Sequence, residues 1–407
     1  MTNSCELLAP AGDMDCLKTA ARFGADAVYV GGPFLQLRAQ KSAFTRDELC
    51  EAAAYLHGLG KRLYVAVNSF TREYELAELA DYARFLAEAG ANAVIVSDLG
   101  AMAVIHKAAP DLPIHVSTQA NCCNSAAARV YKDLGAERIV LARELTLTEI
   151  AALHAELGDA LALEAFVHGA MCMAYSGRCL MSSFLAGRSG NRGECTQPCR
   201  WEYQLLEQHR PNEYFTVEGY DKAAAVLSSH DLKTIGFLDK LQEAGVTSFK
   251  IEGRMKTEFY VAQVVNAYRH ALDGDVPLPV LEHELDAFSH RPYSSGFYFG
   301  DEQKEPLNDG LYRWETTFAG RAVKDVSNGV LTLEQRNFFR VGDVLEVITP
   351  GKFGQNFTVT ELRNEAGERC ETACHPKERL TLPCPVDVRR GDLLRARVRK
   401  EAAHENA

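Results

Sequence analysis

The chain has 407 residues, 47% hydrophobic and 24% charged, with a formal net charge of −11, which is enough apolar material for one large domain and a smaller one. The acidic total excludes a global attraction to nucleic acid, so any RNA contact has to come from local basic patches. No apolar run reaches the ~20 residues of a membrane helix, and Met1-Thr2-Asn3-Ser4-Cys5-Glu6 lacks the layout of a signal peptide. A cytoplasmic protein is therefore expected, and its twelve cysteines suit metal binding or reactivity better than a disulfide framework.

Along residues 1–275, short apolar runs alternate with amphipathic stretches. The predicted strands are Glu6–Pro10, Ala27–Gly31, Arg62–Asn68, Ala93–Asp98, Ile114–Gln119, Arg138–Ala142, Leu163–His168 and Ser248–Glu252. They are rich in Val, Ile and Leu without strict alternation, as strands buried on both faces are. Between them lie stretches of helical period such as Asp13–Phe23, Arg46–Leu59 and Glu75–Ala89, several followed by Gly, a helix-stop signal. Repeated β-then-α units predict a parallel sheet with right-handed crossovers. Eight of them predict an α/β, (β/α)8 TIM-barrel-like domain over residues 1–275, with a doubly wound open sheet as the alternative. A Cys-rich insertion at about 170–245 separates the last two units. After a predicted helix over Thr257–Leu272, residues 276–315 read as a linker and connecting segment. From about Thr316, short alternating segments and turns such as Asn328-Gly329 and Arg390-Gly391-Asp392 predict a small all-β barrel domain over 316–400.

Many strands end on a polar residue: Asn68, Asp98, Gln119, Glu144 just past the sixth, His168 and Glu252. Taken singly, each is a strand that has to end in something polar. As a set at one mouth they mark a site, because barrels of this kind carry their chemistry at the C-terminal strand ends. Lys250, Glu252 and Arg254 alternate on the last strand, so period two puts all three on one face, either lining the mouth or forming a buried ion-pair network.

The most informative stretch runs from Glu164 to Trp201. Cys172, Cys179, Cys195 and Cys199 lie within 28 residues at C-x6-C-x15-C-x3-C spacing. Four soft thiolates complete a zinc site or an iron–sulfur cluster. The six-residue gap fits a zinc knuckle poorly, and Pro198 in an irregular loop suits a cluster. Cys5, Cys16 and Cys50 are expected in the core, and Cys370, Cys374 and Cys384 as incidental surface and core thiols. Cys122 and Cys123 follow the fifth strand, near the mouth.

These residues carry a family resemblance. Glu164-x-Phe-x-His-Gly-Ala-Met-Cys-x-x-x-x-Gly-x-Cys-x-x-Ser182 is similar to the defining pattern of the peptidase U32 family. Further matches are Glu6-Leu-Leu-Ala-Pro-Ala-Gly-Asp13, Ala27-Val-Tyr-Val-Gly-Gly32, Ser117-Thr-Gln-Ala-Asn121, Ser229-His-Asp-Leu232, Phe249-Lys-Ile-Glu-Gly-Arg254 and His290-Arg-Pro-Tyr-Ser-Ser-Gly-Phe297. With a β-domain and no further extension, the chain most resembles the family's tRNA-hydroxylating branch. The resemblance implies a 4Fe–4S cluster and oxygen-independent hydroxylation of the tRNA wobble uridine to 5-hydroxyuridine, with prephenate as a required small molecule. Related branches hydroxylate ribosomal RNA or a quinone ring, and older usage calls the family collagenase-like peptidases. Ligand choice differs between branches.

A protease needs an activated nucleophile or a metal-bound water. The chain has no Gly-x-Ser-x-Gly elbow and no His-Glu-x-x-His helix. A Cys172/His168 dyad stays open, but ligand thiolates make poor free nucleophiles, so hydroxylation ranks above peptidase. Arg178, Arg188, Arg192 and Arg200 beside the cysteines suit anionic prephenate or RNA phosphates. Tyr175 suits stacking on a flipped base, while Trp201 is expected in the core. His168 suits acid/base work or a structural hydrogen bond. His230 with Asp231 forms a candidate oriented pair, unless Asp231 caps a helix. The candidate catalytic residues are thus His168, Tyr175, His230 and Glu252. The candidate binding residues are Arg178, Arg192, Lys250, Arg254 and Gln119. The basic run Arg389–Lys400 is read as an RNA track or a solvated strand face. The oligomeric state stays open, and a homo-oligomer is compatible with the sequence.

Overall fold

The computed structural model describes residues 5–37, 43–172, 174–201, 205–206, 214–215, 230–300 and 312–398. The chain divides into two compact units: Met1–Ala21, Ala25–Thr257 and Arg291–Leu311 form one, and Arg22–Gly24, Glu258–His290 and Tyr312–Ala407 the other.

In the first unit eight parallel strands close into the expected barrel. They are β1 Glu6–Pro10, β2 Ala27–Gly31, β3 Arg62–Val67, β4 Ala93–Val96, β5 Ile114–Val116, β6 Ala136–Val140, β7 Ala162–Ala170 and β8 Val246–Ile251. Each pairs with the next, and β8 closes the ring by pairing with both β7 and β1. Helices lie between the strands: α1 Met14–Arg22, α2 Arg46–Gly58, α3 Leu76–Glu88, α4 Leu99–Ala108, α5 Ser125–Asp133 and α6 Leu147–Leu157. Their starts are chemically specified. Thr45 and Thr146 form capping boxes with Glu48 and Glu149, and Asp98 and Asn124 cap α4 and α5. Asp98 is thus a helix cap.

The N-terminal half of the lumen is ionic. The Arg138 Nη1 donates to Glu6 Oε1 at 2.5 Å and to Glu164 Oε2 at 2.9 Å, and the Lys250 Nζ donates to Glu164 Oε1 at 2.7 Å. The Ser248 and Tyr64 hydroxyls donate to the two oxygens of Glu6 at 2.8 and 2.7 Å, and Arg62 pairs with Glu6 from the rim at 2.5 Å. Buried charges survive only when paired in this way. Burial alone would push the Glu164 carboxyl up, yet Lys250 and Arg138 bring it down to about 2. His115, ring to ring with Tyr64 at 4.7 Å, is depressed to about 3 by burial and Arg138, and so stays neutral.

The barrel has one irregularity that matters for the site. Lys250 pairs with Phe166 but Ile251 pairs with His168, so Val167 is an extra residue in β7. Thr234 donates its amide and its hydroxyl to the Val167 carbonyl, both at 3.1 Å. Strand Asp231–Lys233 runs antiparallel to the end of β7, with Tyr293–Ser294 beside it.

In the second unit, helices Glu258–Asp273 and Leu278–Asp286 precede an all-β region; the latter helix lies within the segment read as connecting and opens after Pro277. Eight antiparallel strands from Thr316 to Arg397 form one sheet over a core of Leu331, Leu333, Leu345, Val347, Leu380, Leu382 and Leu394. Of the basic run, Arg389, Arg390 and Arg397 are exposed, whereas Arg395 is withdrawn from any RNA track. Arg395 is 3% exposed and held by Glu284 at 2.9 Å and Glu346 at 2.8 Å. A buried guanidinium saturated by two carboxylates cannot reach a phosphate. Arg399 and Lys400 lie outside the described residues.

Candidate active site

At the C-terminal strand ends the lumen opens into a cavity of about 200 Å3, the position where barrels of this type hold chemistry. Tyr29, Phe166, Lys250 and Glu252 line it from the strands. The Lys250 ammonium lies 4.5 Å from the Tyr29 ring centroid and reaches Glu164 beneath, so one strand residue joins the ionic lumen to the cavity. The Tyr29 hydroxyl donates to the Ile251 carbonyl at 3.0 Å. Its pKa stands well above the ordinary value, through burial first and the Glu252 charge second.

Arg143, three residues past the end of β6, stands over Phe166 with its Cζ 4.1 Å from the ring centroid. Its Nη1 donates to the Ala170 carbonyl at 3.3 Å, and its Nη2 stands 3.8 Å from Glu252 Oε2. The side chain is 10% exposed, and Nε is buried with no partner among the described residues. A guanidinium offers five donors, so Arg143 keeps capacity for an anionic ligand. Arg254 is more committed: it donates to Gln36 Oε1 at 2.9 Å and to the Leu37 carbonyl at 3.2 Å.

The cysteine loop roofs this cavity and is tied down at several points. Ser176 donates its amide to Glu144 at 2.9 Å, and Asn121 donates to the Ser176 carbonyl at 3.2 Å. Gly177 has φ +74°, and a Cβ there would lie 2.1 Å from the Gln119 carbonyl oxygen, so only glycine seats the loop this closely. Farther along, Arg192 donates to Glu75 at 2.8 Å and to the Phe70 carbonyl at 2.5 Å, and Asn191 donates to the Cys179 carbonyl at 3.0 Å.

All four predicted ligands, Cys172, Cys179, Cys195 and Cys199, line this one cavity. Burial raises the Cys199 thiol above its ordinary value; Arg200 opposes this, and the neighbouring Cys172 and Cys195 add to it. Among the described residues no three His, Cys, Asp or Glu side chains stand in a shared coordination sphere. By donor chemistry the residues fit an iron–sulfur cluster: four soft thiols face one partly enclosed space, and the Gln197 amide donates to the Cys195 sulfur at 3.4 Å.

Tyr175, Glu252, Lys250, Arg254 and Gln119 also line the cavity, as do Asn68 and Glu144. His168, His230, Arg178 and Arg192 do not. The extra residue in β7 turns His168 to the outward side that Ile251 occupies on β8, where it meets the Tyr293 ring at 5.5 Å. Asp231 accepts the Arg291 amide at 3.2 Å and lies in a strand, so it does not cap a helix. Arg178 is exposed, and Arg192 is a clamp on Glu75. Two burial expectations are corrected: Trp201 is 42% exposed and Cys50 is exposed on α2. Sequence reasoning missed Arg143, Tyr29 and Phe166. Arg143 adjoins Glu144, so its place just past a strand end was a usable signal, whereas the two aromatics look like any strand core.

Residues 12–308 match the model for peptidase family U32, and residues 315–395 that for the peptidase family U32 C-terminal domain. The chain is 36% identical to tRNA hydroxylation protein P1 of Bacillus subtilis over 92% of this chain and 91% of that one. It is 32% identical to tRNA hydroxylation protein P of Escherichia coli over 94% of each. It is also 30% identical to a Porphyromonas gingivalis protein named collagenase, over 96% of this chain and 97% of that one. With the glycine-seated cysteine loop over a closed parallel barrel, and both family models matched in chain order, this chain belongs to peptidase family U32.

Proposed function

We propose that the chain is an RNA hydroxylase that converts the tRNA wobble uridine to 5-hydroxyuridine without molecular oxygen, using a 4Fe–4S cluster and prephenate. The observation that carries this reading is the meeting of four thiols with Lys250, Arg143, Arg200 and Arg254 around one cavity at the barrel mouth. Relatives similar over nine-tenths of the chain are named tRNA hydroxylation proteins. Cys172, Cys179, Cys195 and Cys199 would hold the cluster, which when bound supplies one-electron chemistry.

The chain's own residues do the rest. Arg143, with spare donors, binds an anionic group such as a prephenate carboxylate, and Lys250 adds positive charge from below. Glu252 is the carboxylate beside Arg143 and is placed to accept a proton. Tyr29 keeps its proton and fixes the end of β8 through the Ile251 carbonyl. Tyr175, 60% exposed at the rim, offers a ring to a flipped base. The alternative of a peptidase is weakened by His168, which stands outside the cavity that Cys172 lines.

The test is nucleoside mass spectrometry of tRNA from a deletion strain carrying either the wild-type chain or Cys179→Ala. The wild type is expected to restore 5-hydroxyuridine and the variant to lose it, along with the brown absorbance of the anaerobically purified protein. Unchanged 5-hydroxyuridine in the deletion strain overturns the reading. Peptide cleavage that survives iron removal favours the peptidase.

A further inference from the structure

Lys250 lines the cavity although it is only 4% exposed, and its surroundings suit a nucleophile as well as a structural cation. Its Nζ lies 4.5 Å from the ring centroid of Tyr29 and 5.7 Å from that of Phe166, so two aromatic rings flank it. Burial lowers the ammonium below its ordinary value, and the Glu164 charge beneath opposes this. A desolvated lysine gives up its proton more readily and attacks carbonyl carbon. Glu164 does not depend on Lys250 alone, because Arg138 and the Ser248 hydroxyl also donate to it, at 2.9 and 3.2 Å.

The groups around Lys250 select one class of ligand. Arg143 stands over the same Phe166 ring, and its buried Nε has no partner among the described residues. A guanidinium with a spare donor and an amine, both on one ring, fit a short molecule that carries a carboxylate next to a carbonyl, a 2-oxo acid. The guanidinium takes the carboxylate and the amine meets the carbonyl carbon. A simple anion would have no use for the amine, and a simple ketone none for the guanidinium. Glu252 completes the set. Its Oε2 stands 3.8 Å from Arg143 and 3.5 Å from the Tyr29 hydroxyl, and it lines the same cavity, where a carboxylate can carry a proton.

We propose that Lys250 captures a 2-oxo acid in this cavity as a protonated imine. The ammonium passes one proton to Glu252, and the amine adds to the carbonyl carbon to give a carbinolamine. Glu252 returns its proton to the carbinolamine hydroxyl, which leaves as water. That water carries away the carbonyl oxygen and two of the three ammonium protons, and no oxidant or reductant takes part. The imine nitrogen keeps the positive charge, so the ion pair with Glu164 at 2.7 Å survives the reaction. The captured acid is then held by a covalent bond beneath the cysteine loop. The inference rests on the proposed function only for the identity of the small molecule, since prephenate carries a 2-oxo acid arm.

The full chain, purified anaerobically, is incubated with pyruvate as the probe and reduced with sodium cyanoborohydride, as wild type, Lys250→Arg and Arg143→Leu. Intact mass and peptide mapping read the product. One 1-carboxyethyl group per wild-type chain is expected, on Lys250, with labelling that saturates as pyruvate rises. Lys250→Arg, which keeps a cation against Glu164, should lose the label. Arg143→Leu should raise the pyruvate concentration for half-labelling about tenfold. A wild-type map without label on Lys250, or with label spread unsaturably over surface lysines, overturns the proposal, and this map is decisive however the variants fold. A wild-type chain that restores 5-hydroxyuridine in cells but takes no label loses the imine and keeps the hydroxylase. A chain labelled on Lys250 that restores no 5-hydroxyuridine keeps the imine and loses the hydroxylase.

Discussion

The two ends of the barrel lumen use the same kinds of side chain to opposite ends. In the N-terminal half, Glu6, Arg138, Glu164 and Lys250 pair with one another at 2.5 to 2.9 Å, each charge against an opposite one, although Arg138 Nε and His115 Nδ1 are buried without a partner among the described residues. At the mouth, Arg143 faces Glu252 at 3.8 Å and leaves a buried Nε without a partner among the described residues. A saturated network resists change and organises the fold. An unsaturated one is costly to fold and is retained where a ligand completes it. The two rows meet at Lys250, which is bound below by Glu164 and open above to the cavity.

The comparison breaks first at Glu164. Glu164→Gln strands Lys250 and weakens the hold on Arg138, and should cost about 3–5 kcal/mol of stability, read as a lower urea midpoint. A loss below about 1 kcal/mol would mean that the lumen is not the structural half. Arg143→Leu should do the reverse. Hydroxylated uridine should fall on the order of 100-fold while the thermal midpoint hardly moves; a large fall in that midpoint would place Arg143 with the structural group.

Acid sharpens the contrast further. Glu164 is depressed to about 2 from its ordinary 4.5, so its contribution is complete above pH 4.5 and is lost as pH falls towards 2. His115 is held neutral with a value near 3 against an ordinary 6.5, so the unfolded chain takes up its proton first and stability drops as pH falls below 6.5. A His115→Asn variant should therefore flatten the stability curve between pH 6.5 and 4.5, and an unchanged slope would assign that window to other groups. The smallest effect belongs to Thr146→Ala. It removes the cap of α6, just after Arg143 and Glu144, and should cost about 1 kcal/mol. Hydrogen exchange should speed up at the mouth and not in the lumen.

Much of this was legible because it is periodic. β1 and β2 fall where their apolar runs were read; Lys250, Glu252 and Arg254 do line the cavity, but the strand ends at Ile251 and Gly253, Met255 and Lys256 line it too, so strand alternation is not what places Arg254 there. The cysteine spacing located the roof. What failed was aperiodic. No residue type announces the extra position in β7, so His168 was read on the wrong side. Arg192 was read as a ligand-binding residue, and Arg395 fell in a run read as an RNA track or a solvated strand face, because pairing with distant carboxylates, Glu75 and Glu284, leaves no trace in spacing. Within the insertion between the last two strands, residues 173, 202–204, 207–213 and 216–229, Ser229 among them, lie outside the described residues.

The position of the extra residue in β7 decides which way His168 faces. Were Val167 to pair regularly with Ile251 and the extra position to move beyond His168, the imidazole would turn to the cavity side that Phe166 occupies, and a silent neighbour would become a candidate ligand or proton carrier. Within one scaffold, moving a one-residue bulge along a strand offers a short route between different chemistries, with no side chain having to be replaced.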